Sequence, residues 1–157
     1  MIPSRLRRLL LTPGAALLTL SLVAYAYFYQ AGGWNQNSRF DLTRALVERG
    51  TVRIDAYERN TGDESRRAGH MYSDKAPGVS LAAVPAWAAV RAVSPEPPTP
   101  GQLAVGAWLG TVVAVGVPAA LAVLALLRLA RAWGARAGAA ALLAGRYALA
   151  TLAWPYA

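Results

Sequence analysis

The chain has no cysteine and a single histidine, His70. The first absence excludes disulfides and thiolate metal sites, and the second excludes a multi-histidine zinc site. Lysine is almost missing: Lys75 is the one lysine among sixteen basic residues, against eight acidic ones, for a formal net charge of +8. Such a surplus raises the question of a nucleic-acid partner. A basic stripe with interleaved aromatics is missing, however, so none is expected. The arginines form short flanks beside apolar segments instead, Arg5, Arg7 and Arg8 before the first and Arg128, Arg131 and Arg136 between the last two. That placement matches the excess of cytoplasmic cations in membrane proteins. Walker, dinucleotide-binding and nucleophile-elbow motifs are absent as well.

Long uncharged apolar runs are what the chain does have. Apolar residues make up 55% and charged residues 15%, against roughly 45–50% and 25% in soluble domains. Residues 14–29, 101–127 and 147–157 carry no charge, while about half of all charges fall within 39–67. A soluble fold spreads charge over every surface element; this one confines it. The expected fold class is an all-α integral membrane protein with about three transmembrane helices and an extracytoplasmic loop carrying short juxtamembrane helices.

The expected layout is a cytoplasmic N-terminus at 1–8 and a first transmembrane helix at 9–31, its far end crowded by Tyr25, Tyr27, Phe28 and Tyr29. A cleaved signal peptide ending at Ala24-Tyr25-Ala26 is the rival reading, and the bulky aromatics around that site weigh against it. An extracytoplasmic loop follows at 32–77, with a helix at 39–49. Ser38 and Asp41 form its capping box, Arg44 and Glu48 pair at i,i+4, and Gly50 stops it. Residues 51–56 alternate as a short extended run, and 58–70 read as a mobile loop tip. Residues 78–93, broken by Pro85, form either a surface helix or a further span. The Pro-rich stretch 94–100 ends that segment.

A transmembrane helix at 101–127, kinked at Pro118, a basic connector at 128–137 and a last helix at 138–157 complete the layout. The first arginine cluster places the N-terminus in the cytoplasm. The 128–137 connector then also lies inside only if 78–93 stays at the outer interface, which favours three spans in a multi-pass inner (plasma) membrane protein.

Chemistry is expected in the loop. Asp41 and Asp55 are the candidate catalytic carboxylates, since a general base must stand within reach of an acceptor hydroxyl. Lys75, beside Asp74 and a Pro-Gly turn at the membrane edge, suits a headgroup-level phosphate as a compact point charge, or else simple snorkelling. Tyr72, Arg39 and His70 are further polar candidates. Arg146 lies within the last apolar segment, where a charge either faces a bundle interior or snorkels. Gly106 and Gly110 form a Gly-x-x-x-Gly helix-packing motif.

The order of these features resembles the N-terminal part of the C-type (GT-C fold) membrane glycosyltransferases, closest to the protein mannosyltransferase and aminoarabinose transferase branch. The resemblance covers residues 5–127. It rests on Ser38-Arg39-Phe40, Gly50-Thr51 and above all Tyr72-Ser73-Asp74-Lys75-Ala76-Pro77-Gly78. It implies transfer of a sugar from a polyprenyl-phosphate carrier to an acceptor at the outer face, with inversion, and with Lys75, Tyr72 and Arg39 toward the lipid phosphate. Where the family has an acidic pair this chain has Gln36-Asn37, which leaves Asp41 or Asp55 for the base. No cofactor is expected and no metal ligands are assigned, although some members use a divalent metal. Such enzymes have many more spans, so a truncated chain is expected, requiring further C-terminal helices or a partner subunit and inactive alone. The alternative is a non-enzymatic membrane module whose loop binds a partner. A transporter fragment fits less well, because the ionisable residues sit in the loop and not along the spans.

Overall fold

In the computed structural model the described residues are 12–30, 32–93 and 97–150. They are mostly helical and divide into two compact units, Tyr29–Ala114 on the one hand and Met1–Phe28 with Val115–Ala157 on the other. The first arginine cluster and the end of the last expected span lie outside the described residues.

The unit Tyr29–Ala114 contains the polar segment. Its first helix, α2, spans Trp34–Arg49 and follows α1 (Pro13–Tyr27) of the other unit. Helix α2 starts five residues earlier than the sequence pattern suggests. Gly33 is the N-cap and Ser38 lies inside the helix, buried, so the expected Ser38–Asp41 capping box does not exist. Ser38 is spent on a tertiary contact, and the helix begins without a side-chain cap. Its end is as read: Gly50 takes φ 61°, and Thr51 N–H reaches back to the Ala45 carbonyl at 3.2 Å, closing a left-handed glycine cap.

Beyond Gly50 only Arg53 pairs as extended chain, bridging to Tyr72. Residues Asp55–Asn60 then form a 3₁₀ helix. Where a mobile tip was expected there is a hairpin, β1 (Glu64–Arg67) antiparallel to β2 (His70–Ser73), in register Glu64–Ser73 through Arg67–His70. Its two-residue turn has positive φ at both positions, Ala68 at 50° and Gly69 at 78°, the conformation that twists with the strands. Alanine at the first position hid the turn, because asparagine or glycine is the usual signal there. Leu42, Ala45, Ile54, Tyr57 and Met71 fill a small core among α2, the 3₁₀ helix and β2.

Helix α3 (Gly78–Ala92) packs on α2, with the Thr43 hydroxyl donating to the Ser80 carbonyl at 3.0 Å, and on α4 (Pro100–Thr111). Trp87 is fully buried, edge-on to Phe40 with ring centroids 5.2 Å apart. Gly106 accommodates it: a Cβ there would collide with the Trp87 ring, and one on Gly110 would meet Ala83 at 3.2 Å. The Gly-x-x-x-Gly motif thus serves close helix packing. Gly106→Val is expected to destabilise the α3–α4 contact by about 1–3 kcal/mol, the usual cost of overpacking. Loss of amide protection across Gly78–Ala92 in hydrogen exchange would show it.

A π turn, Val112–Gly116, follows α4, and α5 (Val117–Ala132) continues from it. Pro118 lacks an N–H and its ring crowds the carbonyl four residues back; the wider π turn immediately upstream absorbs this. Together these segments make one apolar helix, Pro100–Ala132, of 33 residues, about 50 Å long against roughly 30 Å of hydrocarbon. Only 22% of its most apolar window is buried. A core helix of a soluble protein would be mostly covered; here Val105, Val113, Val117 and Leu121 stay exposed.

The other unit packs α1 against α5 and α6 (Ala137–Ala150). Ala140, Ala144 and Ala148 recur every four residues and seat α6 on Val123, Leu127 and Ala130. Tyr25 donates to the Ala148 carbonyl at 3.1 Å. The expectation of three spans is corrected here: among the described residues one helix is long and apolar enough to cross a membrane. Helices α1 and α6 have 15 and 14 described residues, about 22 Å each. Helix α3 has 15 residues, a similar length. The expected connector also shrinks, because Arg128 and Arg131 belong to the last turns of α5 and only residues 133–136 leave the helix. Arg146 is exposed, away from the alanine stripe that packs.

Candidate functional site

Within Tyr29–Ala114, α2 holds the polar face on which the hairpin sits. Asp41 is 2% exposed, and its Oδ1 accepts from Asn60 Nδ2 at 3.0 Å while Oδ2 has no hydrogen-bond partner. Burial pushes this carboxyl up to about 6; the Asn60 amide and Arg44 charge pull it partly back, and Glu48 adds to the rise. Desolvation disfavours the charged form of any carboxylate. Asn37 lies one turn earlier and donates to the Asn60 carbonyl at 2.6 Å. The Asn37 amide therefore helps fix the residue that faces Asp41.

Ser38 ties this helix to the motif around Lys75. Its hydroxyl donates to the Asp63 carbonyl at 2.6 Å and meets the Ser73 hydroxyl at 2.7 Å, and Ser73 accepts from the Lys75 backbone N–H at 3.3 Å. The Lys75 ammonium lies between two carboxylates, 2.8 Å from Asp63 and 3.2 Å from Asp74. The hydrogen bond to Asp63 is the main reason its pKa is raised. Lys75 is therefore a compensated cation, held by carboxylates and by its own backbone bond.

Asp55 belongs to a different surface. One oxygen accepts from the Met71 N–H at 2.6 Å and the other lies 2.9 Å from His70 Nδ1. The Met71 N–H first, then His70, hold its carboxyl below the usual range. Tyr72 is paired with Ser65 on one side and Arg53 on the other. Arg39 donates to Asn35 Oδ1 at 2.8 Å along its own helix.

The candidate residues thus sort into two groups. Asp41 and Lys75 connect through α2 and Ser38; Asp55, at the start of the 3₁₀ helix, bonds the hairpin strand β2 that carries Tyr72; Arg39 joins neither by a hydrogen bond. No group of three or more histidines, cysteines or acids able to hold a metal ion occurs among the described residues.

Sequence reasoning missed the most connected acid. Glu48 Oε1 accepts from Arg44 Nε and from Trp87 Nε1, each at 3.0 Å, and Oε2 accepts from the Tyr57 hydroxyl at 2.9 Å. The Arg44 guanidinium also covers the Tyr57 ring, 4.2 Å from its centroid. Burial, then the bond to Glu48, raise the Tyr57 pKa. The Arg44–Glu48 spacing was visible in the sequence, but nothing there pointed to partners 9 and 39 residues away. No protein family, curated protein or solved structure matches this chain.

Proposed function

We propose that this chain acts as a membrane glycosyltransferase of the polyprenyl-phosphate class, with Tyr29–Ala114 carrying its polar site. The supporting observation is that two segments on which the family resemblance rests, 35 residues apart, are joined. Ser38 of Ser-Arg-Phe meets Ser73 of Tyr-Ser-Asp-Lys hydroxyl to hydroxyl at 2.7 Å. In this reading the polar site faces the outer side of the plasma membrane, α3 lies at the interface and the Pro100–Ala132 helix crosses to the inner side. Helix α3 suits that place, because its uncovered side is apolar, with Leu81 55% exposed and Ala82, Ala88 and Ala89 also open.

In the reaction, an acceptor hydroxyl attacks the anomeric carbon, a carboxylate takes its proton and the lipid phosphate departs. Asp41 suits the base better than Asp55. A base near the working pH is the more effective proton acceptor, and Asp41 titrates at about 6, whereas Asp55 is held ionised by two donors. Asn60 must release Asp41 for an acceptor to reach it. Lys75 takes the leaving phosphate in place of Asp63 and Asp74.

Sugar transfer from a polyprenyl-phosphate donor, assayed in native membranes that hold the chain together with its partners, is expected to fall by about 10²–10⁴-fold in Asp41→Asn, the usual contribution of a general base. Lys75→Ala is expected to fall steeply as well, and Asp55→Asn less. Unchanged transfer in both Asp41→Asn and Lys75→Ala would sink the assignment. A second reading, a non-enzymatic module, draws on the charge compensation of Lys75. It predicts no transfer by the unaltered chain and normal membrane assembly of Lys75→Ala.

A further inference from the structure

The outer face of the hairpin carries a second constellation. Residues opposite each other in adjacent strands place their side chains on the same face, and alternate residues along a strand share it. The register pairs Ser65 with Tyr72 and Arg67 with His70, and the bridge sets Arg53 beside Tyr72. Ile54 N–H donates to the Met71 carbonyl at 2.9 Å, continuing that alignment so that Asp55 comes beside His70. Met71 points the other way, into the core with Leu42 and Ile54. One face therefore carries Arg53, Asp55, Tyr72, His70, Ser65 and Arg67 in three rows of two.

We propose that this face binds a phosphate group, with Arg53 and Arg67 as its cations and Tyr72 and His70 as the polar floor between them. Both arginines are exposed, and among the described residues neither makes an ion pair, in contrast to Arg44, Arg66 and Lys75, which do. They stand two strand spacings and two residues apart, roughly 10 Å across and 7 Å along the sheet. Two side chains as long as arginine can converge on one anion from that separation, and guanidinium favours bidentate phosphate contacts. Asp55 shapes the floor. It takes the Nδ1 side of His70 at 2.9 Å and the Met71 N–H at 2.6 Å, and its charge offsets part of the local positive charge. The nearby carboxylates of Asp63 and Asp74 are taken up by Lys75. This face thus has cations to offer a phosphate whether or not the transferase reading holds.

The test uses the full chain in phosphatidylcholine nanodiscs, with phenylglyoxal modification of each arginine read by peptide mass spectrometry. One arm adds inorganic phosphate against chloride of equal ionic strength; the other replaces part of the lipid by phosphatidylglycerol with no phosphate in solution. Modification of Arg53 and Arg67 is expected to slow about tenfold at a probe concentration ten times its Kd, with Arg59 unaffected. Protection in the first arm identifies a soluble phosphate, and protection in the second alone identifies a lipid headgroup. Arg67→Gln, at an exposed strand position, should abolish protection of Arg53 while leaving the hairpin amides protected from exchange. Protection absent in both arms, equal protection of Arg59, or Arg53 protection indifferent to Arg67→Gln would each overturn the site.

Discussion

Replacing Glu48 with alanine is expected to destabilise the Tyr29–Ala114 unit by about 3 kcal/mol, near the lower end for breaking a buried ion pair. Three donors converge on this carboxylate from α2, the 3₁₀ helix and α3. Its removal strands all three: Arg44, whose side chain is 12% exposed, the Tyr57 hydroxyl and the indole N–H of the fully buried Trp87. A buried donor left without an acceptor forfeits its full desolvation cost. Amide protection in Trp34–Arg49 and Gly78–Ala92 should therefore fall by roughly 100-fold in hydrogen exchange, since 1.4 kcal/mol corresponds to a factor of ten. Glu48→Gln, which keeps an acceptor but loses the charge opposite Arg44, should fall between the two. An alanine variant with native protection would mean that the three contacts contribute nothing net.

Asp41→Asn is expected to act in the opposite direction, stabilising the same unit at neutral pH. The folded carboxyl titrates at about 6 against an ordinary 3.8, so the fold binds a proton that the unfolded chain releases. Stability from the neutral form is complete below about pH 4, declines as pH rises through the window from 4 to 6, and stays reduced above it. The difference between the two values corresponds to about 3 kcal/mol. Asparagine keeps the acceptor for Asn60 and has no charge to bury. We expect it to raise stability by about 2 kcal/mol at pH 7.5, to change little at pH 4, and to flatten the pH profile between. Urea unfolding at both pH values checks this, and equal effects at the two would contradict it.

How much was legible in the sequence depends on the range over which each signal acts. The apolar run 101–127 announced the long helix, because hydropathy is a property of the segment itself. Gly50 announced the end of α2 for the same reason, as the left-handed cap needs a residue without a Cβ. The start of α2 was misread because Ser38 looks like a cap locally, and only the distant Asp63 and Ser73 show what its hydroxyl bonds. The hairpin was missed because its strands are short, polar and Arg-rich, lacking the alternation that marks a half-buried strand. Only Met71 points inward to the core.

The candidate site divides along the same line. Asp41, Asp55, Tyr72 and Lys75 could be picked as residue types in a polar segment. Their environments could not: the burial of Asp41, the two donors on Asp55 and the two carboxylates on Lys75 are all tertiary. Charge counting treated Lys75 as an available cation because Asp63 lies twelve residues before it, and only the hairpin brings them together.

The central proposal is that Pro100–Ala132, long and apolar enough to cross a membrane, does so with the polar unit at its N-terminal end outside. The native chain lacks cysteine, so single engineered cysteines report cleanly. In intact cells, a membrane-impermeant maleimide should label Pro97→Cys from outside. It should label Trp133→Cys only after the cytoplasmic side is opened, and should not label Val113→Cys from either side. Labelling of Pro97→Cys and Trp133→Cys from the same side, or ready labelling of Val113→Cys, would contradict the account.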